Sequence, residues 1–291
     1  MNPIPIRAFD EQLPQMQTVL RDLVELESPS NDKAALDRMG TKLTQLLLPL
    51  EPEIKIDAQP VSGDNIVARW PGINNRSDGG FLILCHFDTV HPVGMLTKNP
   101  VRVKSGEMYG PGIIDMKASI TQVIFALQAL RAEQRWPEWP LTVLLTSDEE
   151  IGSEGARPMI ESLGSRAGLV LCMEPALSDG ALKTARKGVA NFHVVTRGKS
   201  AHSGADHQEG VNAIEEMAQQ VLALQALTDY KVGSTVSVGK ITGGTRSNVV
   251  PDECRLIVDL RVTTQAEAER MTALIEGLQP NLPGAQLHVT G

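Results

Sequence analysis

Three short apolar runs, Phe81-Leu-Ile-Leu-Cys85, Leu141-Thr-Val-Leu-Leu-Thr146 and Gly168-Leu-Val-Leu-Cys-Met173, each give way to polar residues. Unbroken apolar runs of this length suit strands buried on both faces rather than strands with one wet side. Segments with helical spacing surround them: Leu20, Leu23 and Val24, then Leu43, Leu46 and Leu47, and later Lys117 to Arg131. A short helix is expected near Glu154 to Leu163, and further strands over Ile54 to Ala58 and Asn65 to Trp70. Strands alternating with helices predict an α/β sandwich with a mostly parallel central sheet.

Beyond about residue 178 the texture changes. Strands are expected over Ala190 to Thr196, Thr235 to Ile241, Cys254 to Val262 and Gln286 to Thr290, with helices over Val211 to Leu227 and Ala266 to Leu278. That order, β-α-β-β-α-β, is the plan of a small α+β domain. Two domains, 1–178 and 179–291, agree with the size expected for 291 residues.

The net charge of −8 gives no electrostatic case for nucleic acid. No run approaches 18 uninterrupted apolar residues, so no membrane partner is expected. The opening MNPIPIRAFDEQ lacks a basic start followed by an apolar stretch, which argues against a secretory leader and for the cytoplasm. Cys85, Cys172 and Cys254 each lie in an apolar run and read as buried, reduced thiols.

Chemistry gathers just past the strand ends, where open α/β sheets present ligands. There stand His86-Phe-Asp88, Asp115 after a Gly-Pro-Gly loop, Asp148-Glu149-Glu150, and Glu174-Pro. Each alone has an ordinary use: a loop histidine, a helix cap at Asp115, a solvated acidic pair, a turn residue. Asp148 is read as a solvated neighbour. Together on one rim, the carboxylates would raise one another's pKa unless a cation neutralised them. An imidazole with carboxylates suits Zn²⁺ or a similar divalent ion. The three negative charges of Asp115, Glu150 and Glu174 balance best against two such ions.

His86-x-Asp88-Thr-Val, Gly112-x-x-Asp115-Met-Lys, Glu149-Glu150-x-Gly-Ser and Met173-Glu174-Pro resemble the metal-site motifs of the dinuclear zinc exopeptidase and deacylase family. That family includes glutamate carboxypeptidase, acetylornithine deacetylase, succinyl-diaminopimelate desuccinylase and aminoacylase; the motifs are most similar to the glutamate carboxypeptidase branch. The resemblance implies a zinc-exopeptidase-like catalytic domain with a smaller lid through which two copies dimerise. It implies two Zn²⁺ per chain, with Co²⁺ or Mn²⁺ as substitutes. His86 and Glu174 would hold one metal, Glu150 the other, and Asp115 would bridge them. Glu149 would be the general base acting on a water between the metals, Asp88 would orient His86, and the peptide bond after Asp115 would be cis. In the lid, Lys199-Ser-Ala-His202-Ser-Gly resembles the segment whose histidine reaches into the partner's site to stabilise the oxyanion. Gly243-Gly-Thr-Arg-Ser-Asn248-Val-Val-Pro with Arg261 resembles the substrate-carboxylate clamp. Lys183 belongs to a basic stretch, 183–199, with five Lys or Arg and no acid.

The implied activity is hydrolysis of an amide beside a free carboxylate in a small peptide or N-acyl amino acid. Peptidase and N-acyl deacetylase or desuccinylase remain open alternatives, because both need the same metal chemistry. One departure stands out. In the family the chain returns from the lid, completes the catalytic domain and supplies a second histidine ligand. His91, His193, His207 and His288 do not fit that role. The expectations are therefore an apolar patch left on the sheet and, as a rival reading, a dimerising or binding protein without catalysis.

Overall fold

The computed structural model describes residues 4–72 and 79–291, and they divide into two compact units, Met1–Gly180 and Ala181–Gly291.

In the first unit, α1 (Leu13–Glu25) and α2 (Lys33–Leu47) precede β1 (Glu53–Asp57), β2 (Asn65–Trp70) and β3 (Phe81–His86). A short turn α3 (Met95–Lys98), a hairpin of β4 (Arg102–Lys104) and β5 (Glu107–Tyr109), and α4 (Ala118–Ala132) come next. β6 (Leu141–Thr146), α5 (Arg157–Gly164) and β7 (Leu169–Cys172) complete it. The sheet order is β1-β2-β6-β3-β7. The strands that carry the site, β6, β3 and β7, run parallel, while β1 and β2 are antiparallel additions.

Alternation along the strands sorts the core into two layers. Ile66, Ala68, Ile83, Cys85, Val143 and Leu145 face α1, α2 and α4. Val67, Leu82 and Leu144 face α5 through Met159, Ile160 and Leu163. All six residues of β6 are buried, as its apolar run predicts for a central strand. Asp32 caps α2 by accepting from the Ala35 N–H at 3.0 Å, and Leu36, Met39, Leu43 and Leu47 fill its buried face. The stretch Ile113–Ala132 is apolar enough to cross a membrane by composition, but its α4 is the core helix of this unit.

The apolar patch expected on the sheet lies at β7. β7 is the edge strand, and Leu169, Val170 and Leu171 remain 42–48% exposed. Cys172 is exposed with them, against the expectation of a buried thiol, whereas Cys85 and Cys254 are buried.

The second unit contains β8 (Gly188–Arg197), α6 (Ala213–Gln225), β9 (Thr235–Gly243), β10 (Glu253–Val262), α7 (Gln265–Glu276) and β11 (Gln286–Thr290). The antiparallel sheet has the order β11-β8-β10-β9. On β10, Cys254, Leu256, Val258, Leu260 and Val262 join the core with Met217 and Leu224 of α6 and Met271 and Ile275 of α7. The odd-numbered residues of β10 lie on the other face. Buried Glu216 of α6 ties down the segment before β11, accepting from the backbone N–H of Asn281 and Leu282 and from Gln220 Nε2.

Candidate metal centre

His86 ends β3, and its ring is buried to 2% exposure. Its Nδ1 lies 3.1 Å from the Asp88 carbonyl and 3.2 Å from Asp88 Oδ1. Two acceptors around Nδ1 place the ring proton there and turn the Nε2 lone pair outward. Fully buried Asp88 does more than hold the ring. Its Oδ1 accepts from the Glu149 N–H and its Oδ2 from the Glu150 N–H, both at 3.2 Å, and Ser30 Oγ donates to Oδ2 at 2.8 Å. One carboxylate thus fixes the imidazole relative to the acidic turn after β6. Sequence reasoning passed over Ser30, which lies in a Ser-Pro-Ser loop and carries no signal of its own.

Nε2 faces acids. Asp115 Oδ1 lies at 2.9 Å, Glu174 Oε1 at 3.5 Å and Glu149 Oε2 at 4.0 Å. Donor atoms of His86, Glu149 and Glu174 lie within 4.8 Å of one another, and so do those of His86, Asp115 and Glu150. Among the described residues no second histidine joins either group. Asp115 reaches the site because Gly112 holds a positive φ of 68°, where an added Cβ would lie 2.7 Å from Thr89 Cγ2. The Asp115–Met116 peptide bond is cis, as the resemblance implies.

The electrostatics follow from crowding. Burial alone would lower the His86 pKa, but the Asp88 hydrogen bond and the charges of Asp88, Glu149 and Asp115 raise it to about 9. Glu149 and Glu150 are both pushed up, first by burial and then by their acidic neighbours. With Nδ1 spent on Asp88, a 2.9 Å approach of Nε2 to a carboxylate oxygen needs a positive charge on that line. A proton or a metal ion supplies it. This hard-oxygen and imidazole donor set fits divalent zinc-like ions. One lone pair serves one ion, so a second ion would rest on Asp115 and Glu150.

Asp148 is not solvated as expected. It is 2% exposed, and its Oδ2 accepts from the Gly155 N–H at 2.7 Å and the Ala156 N–H at 3.3 Å. It braces the turn that carries Glu149 and Glu150. Lys117 is also buried, donating to the Leu26 carbonyl at 3.1 Å, and burial pushes its pKa down to about 7 against the pull of Glu27.

In the second unit, exposed His202 accepts at Nδ1 from the N–H groups of Gly204 and Ala205 at 3.1 and 3.0 Å. Its Nε2 therefore carries the proton and is a donor. The Asn248 carbonyl accepts from the Ser203 N–H at 3.1 Å, and His202 bridges to Val249, so the two motifs lie side by side. Arg261 sits toward the other end of β10, roughly 26 Å past Glu253 along the strand at about 3.3 Å per residue. Its guanidinium is engaged by Asp259 at 2.8 and 3.0 Å. The structure does not bring Arg261 to Asn248. Lys183 is exposed in a segment without regular structure.

Comparison with known proteins places this geometry. The profile of a peptidase dimerisation domain matches residues 184–281, and that of peptidase family M28 matches residues 65–231. Carboxypeptidase G2 of Pseudomonas sp. (strain RS-16) is 31% identical over 287 residues, covering 97% of this chain and 68% of that protein. Acetylornithine deacetylase of Myxococcus xanthus is 30% identical over 289 residues, covering 94% of this chain and 74% of that protein. A tripeptidase from Staphylococcus aureus shares the fold with a TM-score of 0.72 at 21% identity, over 95% of this chain and 75% of that one. With these likenesses along nearly its whole length, the chain belongs to the M20/M28 family of metallopeptidases and amidohydrolases.

Proposed function

We infer that this protein hydrolyses an amide bond next to a free carboxylate, in a small peptide or an N-acyl amino acid. The observation that carries the reading is the His86 ring, tied at Nδ1 to Asp88 and facing Asp115, Glu174 and Glu149 through Nε2. His86 and Glu174 would hold one divalent ion, Glu150 a second, and Asp115 lies where it can serve both. Such ions, zinc by chemical preference, would polarise the scissile carbonyl and acidify water.

The chain's own groups do the rest. Glu149 takes the proton from the attacking water and hands it to the departing amine, a task suited to a carboxyl whose pKa is raised. Asp88 keeps His86 oriented and basic. The Nε2–H of His202 is a hydrogen-bond donor for the developing oxyanion. Asn248 and Arg261, with Lys183 in the basic stretch, would recognise the substrate carboxylate. Arg261 lies at the end of β10 opposite to the loop of Asn248 and His202, which disfavours one unit offering all three to one substrate. That separation supports a homodimer in which His202 and Asn248 serve the partner's site.

The likeness to acetylornithine deacetylase keeps deacylation of an N-acyl amino acid as a second reading. Hydrolysis of N-acyl glutamates against glutamyl dipeptides separates the two. Glu149→Gln is expected to lower kcat by at least about 10²-fold, the lower end for a lost general base, with metal content unchanged. Full activity in that variant would remove Glu149 from the mechanism, and a chain that binds no metal would overturn the reading.

A further inference from the structure

In the second unit, α6 and α7 pack against the even-numbered side chains of β10. The opposite face of that sheet is a grid of side chains set by strand register. In one row Arg197 of β8 stands between Glu253 of β10 and Gln286 of β11. In the next row on the same face, Val195 stands between Arg255 and His288. A cavity of about 370 Å³ opens over these two rows, lined by Val195, Arg197, Arg255, Gln286, Leu287 and His288. That lining holds two guanidiniums, an imidazole and an amide, and it includes no acid.

The chain is acidic overall, but this face of the sheet is not. Its strands bring Arg197, Lys240, Arg255 and Arg261 against two acids, Glu253 and Asp259. Arg261 engages Asp259. Glu253 is shared: Oε1 accepts from Arg255 Nε at 2.8 Å, and Oε2 lies 3.9 Å from Arg197 Nε. One carboxylate thus meets the Nε edges of two guanidiniums. Among the described residues the Nη groups of both arginines, the His288 ring and the Gln286 amide have no protein partner. Arg255, Arg197 and His288 line the same space from three adjacent strands, roughly 4.8 Å apart, around half-buried Val195. A planar carboxylate is satisfied by one guanidinium fork. A tetrahedral phosphate has three acceptor oxygens in different directions and can be met from all three strands at once.

We propose that this cavity binds a phosphate anion, free or as a phosphomonoester, through the Nη groups of Arg197 and Arg255, the His288 ring and the Gln286 amide. Every residue of the site belongs to the second unit, so the proposal stands apart from the metal centre and from the amide-hydrolase reading.

The test is calorimetry of inorganic phosphate and of methyl phosphate on the full chain at physiological salt, both zinc-loaded and after chelation. Saturable binding with a Kd at or below about 1 mM is expected in both metal states. Sulfate, also tetrahedral, is expected to compete, and acetate is not. Methyl phosphate bound as tightly as phosphate identifies a phosphomonoester site, and phosphate bound more tightly identifies a site for the free anion. Arg197→Gln and Arg255→Gln are each expected to weaken binding at least about tenfold, the worth of one hydrogen bond between charged groups. Lys240 lies on the same face two strands from Val195, roughly 10 Å off and beyond the screening length of about 8 Å. Lys240→Gln is therefore expected to leave binding unchanged. Amide NMR shifts need no variant: phosphate is expected to move the signals of Val195, Arg197, Arg255 and His288. Absence of saturable binding, binding that requires zinc, an equal loss in Lys240→Gln, or shifts confined to other residues would each overturn the site.

Discussion

At the scale of single residues, Asp88 has the widest reach. Its two oxygens join the His86 ring, Ser30 and the backbone of both glutamates. Removing its charge loosens the imidazole and lets its pKa fall back toward the ordinary value. Asp88→Asn is expected to weaken zinc binding roughly 10- to 100-fold, the usual cost of losing such an outer partner. The sign of the pH dependence follows from the raised pKa. Below about 9 the metal-free His86 holds a proton that a metal must displace. Metal affinity therefore rises with pH up to about 9, and binding at pH 7 releases a proton from His86. Calorimetry in two buffers of different ionisation enthalpy counts that proton, and Asp88→Asn is expected to release less. A proton count unchanged by the substitution would mean that Asp88 does not set the His86 charge.

At the scale of elements, the clearest dependence is the joint between α6 and the segment before β11. Glu216 is buried on α6, and two backbone N–H groups and two side chains converge on its carboxylate. Burial alone would raise its pKa, but the hydrogen bonds from Gln220, Leu282 and Asn281 together lower it. A lowered pKa contributes stability above the ordinary carboxylate range and loses it as pH falls through the folded value. Glu216→Gln turns an amide toward backbone donors and is expected to cost about 2–3 kcal/mol at neutral pH, the worth of hydrogen bonds to a charged group. Hydrogen exchange in α6 reads this, and the gap from wild type should close on acidification. A gap that persists at low pH would assign the loss to packing instead.

Elements were more legible in the sequence than their surroundings. Asn65–Trp70, Leu141–Thr146 and Gln286–Thr290 appear at the expected residues because local apolar patterning decides them. The β4–β5 hairpin was not anticipated, since three-residue strands carry too little periodicity to read. The burial of Cys172 on β7 was misjudged for a different reason. An apolar run states what a strand prefers to pack against, and its edge position is a property of strand order. Asp148 follows the same logic: no residue type reveals that two backbone N–H groups will close over it. His86, Asp115, Glu149, Glu150 and Glu174 were legible because motif order carried them, and the structure places their donor atoms together.

At the scale of the whole molecule, the metal centre and the second unit draw on separate cores. All donor groups lie between His86 and Glu174, within the first unit. The chain's three tryptophans, Trp70, Trp136 and Trp139, also lie there, with the Trp70 and Trp136 ring centroids 5.5 Å apart and the planes tilted by 58°. Tryptophan fluorescence therefore reports the unit that holds the metal, while exchange in α6 reports the other. A ligand that binds only the folded state stabilises it by about 4 kcal/mol at a free concentration 1,000 times its Kd. Zinc at that excess is expected to raise the tryptophan-detected unfolding midpoint, and chelation to return it, with α6 protection unmoved. Equal shifts in both probes would mean that metal binding engages residues beyond the first unit. No shift in either would remove His86 and its carboxylates as a metal centre, and with it the basis for catalysis in this chain.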